Sequence, residues 1–210
     1  MTSSSKYALC LLSGGMDSAV ALWWALEKGY EVTIVEFDYK GRPKKEKEFV
    51  SLLAAESQAK KPISINFPFL YNETLLNGFI PGRNLLYFST SATIAESLGI
   101  SNLIGGQLAT DKDEFSDASG HFFSNMEDLI NKGKGKSFPR IKIFLPLIKL
   151  NKIESLKLAK KLRCPLEFTW SCFYDLESPC GKCKSCIERT KAFEYAESTD
   201  PALSFSRRKK

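Results

Sequence analysis

The chain is predicted to be an α/β protein with a doubly wound parallel sheet and a small cysteine knot near its C-terminus. Three observations predict this. Short apolar runs rich in Val, Ile and Leu alternate with amphipathic stretches through the first 165 residues, the rhythm of βαβ units. A Ser/Gly-rich turn, Ser13-Gly14-Gly15-Met16-Asp17-Ser18, separates the first apolar run from a helical stretch. Four cysteines stand at C-x7-C-x2-C-x2-C spacing between positions 172 and 186.

Tyr7 to Leu12 reads as a buried strand, and Ala19 to Lys28 as a helix ended by Gly29. Glu31 to Phe37 is a second strand. Lys44 to Gln58 is a helix with Phe49, Leu52 and Leu53 on one face and charges on the other. Ile63 to Phe67 is a third strand. Asn84 caps a helix running to Leu98 and stopped by Gly99. Asn102 to Gly105 is a fourth strand, Asn125 to Asn131 a helix and Ile141 to Leu145 a further strand. Asn151 with Glu154 three residues on forms a capping box for a helix over Lys152 to Leu162. The Gly/Lys stretch 132–136 reads either as a lid over an anionic ligand or as a solvated connector.

The chain has 210 residues, 43% apolar and 26% charged, the balance of an ordinary globular protein. No segment is apolar for long enough to span a membrane, and Met1 to Lys6 lacks the apolar core of a secretory signal. A cytoplasmic location is therefore expected. The net charge of +6 is mild, and four of the positive charges lie in the tail Arg207 to Lys210. Without interleaved aromatics the tail reads as a solvated end, so nucleic acid is not the expected partner.

Between a strand and a helix, a Ser/Gly-rich turn leaves backbone N–H groups unpaired at the positive end of the helix dipole, which suits phosphate. Gly14 and Gly15 allow close approach of an anion, Ser13 and Ser18 add hydroxyl donors, and Asp17 can hold Mg2+ against the same phosphates. No Gly-Lys-Ser/Thr follows, so this is not a Walker loop, and it is not the G-x-G-x-x-G dinucleotide fingerprint. Its plain alternative is an ordinary strand-to-helix turn.

Cys172, Cys180, Cys183 and Cys186 are four soft ligands at short spacing, which suits a closed tetrahedral zinc site of structural purpose. Two disulfides would suit a secreted protein, and a redox pair needs only two thiols. An iron–sulfur cluster uses the same four ligands and stays open. Trp170 and Phe173 flank Cys172 and are placed to pack the knot. Cys10 reads as a small buried group, Cys164 as structural, and Trp23 and Trp24 as core.

The turn looks like the S-G-G-x-D-S loop of ATP pyrophosphatases. With Phe37-Asp38-Tyr39, Phe79-Ile80-Pro81-Gly82-Arg83-Asn84, Ser171-Cys172-Phe173 and the run Pro179 to Arg189, the ensemble resembles the 7-cyano-7-deazaguanine synthases of the queuosine and archaeosine pathways, over roughly residues 7–195. That resemblance implies an adenine nucleotide alpha hydrolase-like fold and an ATP-dependent carbon–nitrogen ligase releasing AMP and pyrophosphate. The acid 7-carboxy-7-deazaguanine is adenylated, ammonia forms the amide, and a second activation dehydrates it to the nitrile. It also implies Zn2+ on the four cysteines and a homodimer. Ser13, Gly14, Gly15, Asp17 and Ser18 would hold ATP, with Arg83 and Asn84 near the active site. The chain divides into an ATP-binding domain (1–165), a zinc-binding segment packed on it (166–200) and a basic tail (201–210).

Further candidates come from the residues themselves. Arg83 has a planar guanidinium that fits phosphate or carboxylate, against the alternative of a surface salt bridge. Asp111 is a second magnesium ligand or a turn former. Phe37 or Tyr39 can stack on a base, and His121 is a general base or an exposed polar residue. One stretch departs from the family. Where a Tyr-Pro-Asp-Cys-Arg motif is usual, this chain reads Phe115-Ser116-Asp117-Ala118-Ser119, retaining only Asp117 as a candidate catalytic group. The ATP half of the resemblance is intact and the acceptor half departs. A relative that stops at the amide, or joins the activated acid to another amine, conceivably on a protein, therefore stands beside the family reaction. A tRNA-modifying adenylating enzyme and a non-catalytic binding module are the remaining alternatives.

Overall fold

The computed structural model describes residues 6–71, 80 and 82–203. Phe79, Pro81 and residues 204–210 of the basic tail lie outside them. Five parallel strands form one sheet in the order β3-β2-β1-β4-β5: β1 (Tyr7–Leu11), β2 (Glu31–Lys40), β3 (Ile63–Tyr71), β4 (Asn102–Ile104) and β5 (Lys142–Phe144). The first strand is continuously apolar because both of its faces are covered. Ala8, Cys10 and Leu12 point into one core, and Leu9 and Leu11 into the other.

Four helices cover the first face: α1 (Met16–Glu27), α2 (Lys44–Glu56), α5 (Lys152–Lys161) and α6 (Lys184–Tyr195). They bring Leu22, Leu53, Leu156 and Phe193 to the core there. Two helices, α3 (Arg83–Ser97) and α4 (Gly120–Gly133), cover the second face with Phe88, Ala92, Phe123 and Met126. The chain winds outward from β1 to β3, then returns to lay β4 on the other side of β1. The crevice at that reversal, beyond the carboxyl ends of β1 and β4, is where open α/β sheets bind ligands. The Ser13–Ser18 turn opens there. Among the described residues no helix is long and apolar enough to cross a membrane.

The capping box at α5 forms as expected, with Asn151 accepting from Glu154 N–H and Glu154 accepting from Asn151 N–H. Several expectations need correction, beginning with β2 and β3, which run past the expected ends Phe37 and Phe67 to Lys40 and Tyr71, and one of the two readings of 132–136 is removed. Helix α1 starts at Met16, inside the motif, because the Gly15 carbonyl already accepts Ala19 N–H at 3.1 Å. The cap position of α3 is Gly82, not Asn84, which lies buried in the first turn. Helix α4 is longer than 125–131, because Ser119 caps it by accepting Phe122 N–H at 3.1 Å. The 132–136 stretch is no lid over the turn. Gly135 N–H donates to Glu96 at 2.8 Å beside the C-terminal end of α3, at the amino edge of the sheet, opposite the turn.

Cys10 is fully buried, and burial pushes its thiol up to about 12, so it is inert. Trp24 packs near Tyr30 and Phe144, and Trp23 also lies against the first core.

Candidate active-site cavity at the sheet reversal

The turn has one workable backbone course. Gly14 sits at φ +87°, and a Cβ there would lie 2.3 Å from the Glu46 carbonyl oxygen. Its own carbonyl accepts the Trp170 N–H at 2.8 Å, which ties the turn to the cysteine segment. Ser13 Oγ accepts Gly15 N–H at 3.2 Å and lies 3.0 Å from Ser18 Oγ, which donates to the Gly15 carbonyl at 2.9 Å. The hydroxyls thus brace the turn at the N-terminus of α1. Gly14→Ala is expected to displace the turn and lower stability by at least about 1 kcal/mol, measured by urea unfolding; unchanged stability would contradict this close approach.

A cavity of about 420 Å³ lies over the turn, large enough for a nucleotide. Ser13, Gly15, Asp17, Ser18, Phe37, Arg83, Asn84 and Asp111 all line it, so the fold brings most of the sequence-derived candidates together. Gly106 closes the far side of the turn, where a Cβ would meet Asp17 backbone atoms at 2.7 Å.

Asp17 does not stand alone. Its Oδ2 accepts from Lys152 Nζ at 2.6 Å and its Oδ1 from Ser155 Oγ at 3.0 Å, both on α5. Asp111 accepts Leu108 N–H at 2.8 Å. Burial holds the Asp111 carboxyl above its usual range, opposed by that N–H and reinforced by the nearby Asp17 charge. Two neighbouring carboxylates are oxygen ligands of the kind that suits a hard cation such as magnesium.

Asp117 is absent from the cavity wall. Its Oδ2 accepts the Asn84 backbone N–H at 3.0 Å, and its carbonyl accepts Asn84 Nδ2 at 3.0 Å. Asn84 Oδ1 in turn accepts from Gln107 at 3.2 Å. Asp117 therefore clamps the first turn of α3 from outside the cavity wall. His121 is exposed on α4, away from the wall, and the general-base reading has no geometry behind it. Phe37 is only 6% exposed, with its ring 4.2 Å from that of Tyr87 at 10°. It reaches the cavity as part of an aromatic cluster and is already stacked on protein. Burial, foremost, pushes the Tyr39 phenol up, and that of Tyr87 to about 12, so both stay neutral.

Arg42 and Lys152 were not read as site residues. The Arg42 guanidinium is buried and donates to the Ser13 carbonyl at 3.0 Å, the Phe37 carbonyl at 2.9 Å, Glu36 at 2.8 Å and Glu46 at 3.3 Å. It fixes the turn from behind. In the sequence it is one cation among several lysines, and no local pattern marks it.

The four cysteine sulfurs lie within 4.8 Å of one another. Tetrahedral zinc, with bonds of about 2.3 Å, spaces its sulfurs about 3.8 Å apart, so the cluster fits one ion. The N–H groups of Tyr174 and Cys180 point at Cys172 Sγ, at 3.5 and 3.4 Å, and Cys183 N–H points at Cys180 Sγ at 3.2 Å. Such donors favour thiolates. At Cys180 burial works the other way, yet the N–H groups of Lys182 and Cys183 bring the thiol down to about 7. The knot packs on Phe49 and Trp170, and Phe173 lies against it. Behind it the buried Arg189 pairs with Asp200 at 2.6 Å and donates to Thr169 and Ser171, holding the strand of chain that carries Trp170 and Cys172.

Comparison with known proteins places this geometry in context. A family model described as queuosine biosynthesis protein QueC matches residues 7–72 and 63–197. A protein named 7-cyano-7-deazaguanine synthase from Campylobacter hominis is 33% identical over 214 residues, spanning 92% of this chain and 97% of the relative. One of the same name from Sulfurimonas denitrificans is 32% identical over 222 residues, spanning 96% and 98%. A crystal structure of a 4-thiouridine synthetase–RNA complex with bound ATP shares the fold at a TM-score of 0.50 and 20% identity, over 96% of this chain and 52% of that one.

Proposed function

The chain belongs to the QueC family of queuosine biosynthesis proteins, and from that premise we propose that it uses ATP to activate a 7-deazaguanine carboxylic acid and passes the acyl group to nitrogen. The observation that carries this reading is the Ser13–Ser18 turn. It is locked by Gly14 and Arg42, opens at the N-terminus of α1, and faces a cavity of nucleotide size.

A carboxylate is a poor electrophile because it has no good leaving group. An acid oxygen attacking the α-phosphorus of ATP forms an acyl–phosphate bond, and pyrophosphate leaves with the electron pair of the broken P–O bond. Ammonia then attacks the acyl carbon, AMP leaves, and the amide remains. A second ATP activates the amide in the same way: its oxygen bonds to the α-phosphorus, pyrophosphate leaves, and AMP then departs with that oxygen as the nitrogen gives up its protons, leaving the nitrile. The turn orients the phosphates, and Arg83, at the N-terminus of α3, lines the same cavity with a fixed positive charge. Asp17 and Asp111 are the carboxylates that would hold Mg2+, which when bound screens phosphate charge. Cys172, Cys180, Cys183 and Cys186 would hold Zn2+ in a structural role.

The 115–119 stretch favours a second product. Ala118 lies in the cavity wall and Ser119 serves as a helix cap, so this loop brings no cation to the acid. The amide, or a conjugate with another amine, is the product that asks less of the acceptor side. Incubation with 7-carboxy-7-deazaguanine, ATP and ammonia, read by product mass and pyrophosphate release, tests both. The nitrile is expected with two pyrophosphates per product, and the amide with one. No pyrophosphate release with this acid would overturn the proposal.

A further inference from the structure

We infer that Lys152 is a catalytic residue: its ammonium leaves Asp17 for the departing pyrophosphate when ATP is cleaved. The inference rests on the reading that the Ser13–Ser18 turn holds nucleotide phosphates, and it adds the group that neutralises the leaving charge.

Among the described residues, Arg42, Arg83, Lys152 and Lys184 are the cations in the cavity wall. Arg42 is saturated by two carbonyls and two carboxylates and stands behind the turn. Lys184 belongs to α6 and is held by Glu114 and Glu188. Arg83 starts α3, on the other face of the sheet. Lys152 touches the turn itself, with Nζ 2.6 Å from Asp17, the second residue of α1. Its side chain is 16% exposed and that of Asp17 23%, so the pair is largely shielded from water but open to the cavity.

Two features suit this pair to exchange partners. The stem of Lys152 springs from the first residue of α5, which the Asn151–Glu154 capping box makes rigid. Asp17 keeps the Ser155 hydroxyl at 3.0 Å when the lysine departs, so its carboxylate stays in place. The ammonium thus trades one anionic oxygen for another without being desolvated anew. In the reaction the acid oxygen bonds to the α-phosphorus, the bridging P–O bond breaks, and its electron pair goes to the pyrophosphate oxygen that Lys152 meets. A charge-assisted hydrogen bond of this kind, worth about 1.5–3 kcal/mol, corresponds to roughly ten- to hundredfold in affinity.

The test compares Lys152→Met and Lys152→Arg with the wild type, by calorimetric titration with magnesium pyrophosphate and, separately, with AMP. The methionine variant is expected to bind pyrophosphate at least about tenfold more weakly and AMP within about twofold of wild type. The arginine variant should keep most of the pyrophosphate affinity. Unchanged pyrophosphate binding in Lys152→Met overturns the inference. An equal loss for pyrophosphate and AMP also overturns it, since that is what general damage to the cavity would give. No acid substrate is involved, so failure here is separate from failure of the proposed reaction. A wild-type protein that binds neither ligand would overturn the phosphate-turn reading and this inference together.

Discussion

Substituting serine for Cys183 should release the metal from the knot and lower the melting temperature by more than about 10 °C. The four sulfurs form a closed set, and a serine hydroxyl is a much poorer ligand for a soft site than a thiolate. In small zinc peptides the ion contributes about 10–16 kcal/mol of folding free energy. A third of that would shift the transition of a chain this size by the stated amount, at about 2–4 °C per kcal/mol. The loss should also reach the cavity. Cys183 is the cap position of α6, and Lys184, Ser185 and Glu188 on that helix line the wall. The Trp170 N–H on the Gly14 carbonyl carries the disturbance to the turn. Metal analysis by plasma mass spectrometry should find about one zinc per wild-type chain and none in the variant. Iron in place of zinc, with visible absorbance, would mark a cluster instead. A variant that keeps its metal and its melting temperature would show that the knot is not a closed site. Cys10→Ala, on a buried thiol away from the knot, is the control and should keep its metal.

Why the strands were legible and the site only partly so has a physical basis. Both faces of the sheet are covered, so β1 and β4 are short apolar runs and the buried middle of β2 is Ile34 and Val35. Gly29 and Gly99, both at positive φ, stand where the first and third helices end. The Ser13–Ser18 turn was legible as a motif because its contacts are local, with Ser13, Gly15 and Ser18 bonded to one another. The helix α6 was not read. Its buried face is Cys186, Arg189, Ala192 and Phe193, and a buried arginine breaks the apolar period that marks a helix. The pairing of Asp117 with Asn84 joins residues 33 apart, and that of Lys152 with Asp17 residues 135 apart. No local pattern encodes such contacts. Asp117 therefore stands out in the sequence only through its motif-like loop, and Lys152 only as the first residue of a capped helix.

Arg42→Ala should be the most damaging single change outside the knot, and its damage should depend on pH. The guanidinium is about 1% exposed and serves Glu36, Glu46 and the carbonyls of Phe37 and Ser13. Removing it leaves two largely buried carboxylates unpaired and two carbonyls without their donor. Breaking a buried pair in this way costs about 3–5 kcal/mol. Burial already holds the Glu46 carboxyl above its usual range, with Arg42 the main opposing influence. Without Arg42 its folded pKa rises further. A carboxylate whose folded pKa lies above its unfolded value favours the fold at low pH, and that advantage is lost as pH rises from the unfolded pKa through the folded one. The gap in stability between variant and wild type should therefore widen as pH rises above the ordinary glutamate range towards and past neutrality, as read from urea unfolding. Adding Glu46→Gln should recover part of the loss at the upper pH and little at the lower, because an amide needs no counter-charge. Arg42→Lys should not rescue, since one ammonium cannot reach acceptors on the turn, the strand and the helix together. A gap that stays constant with pH would mean that packing, not the Arg42–Glu46 pair, holds the turn against α2.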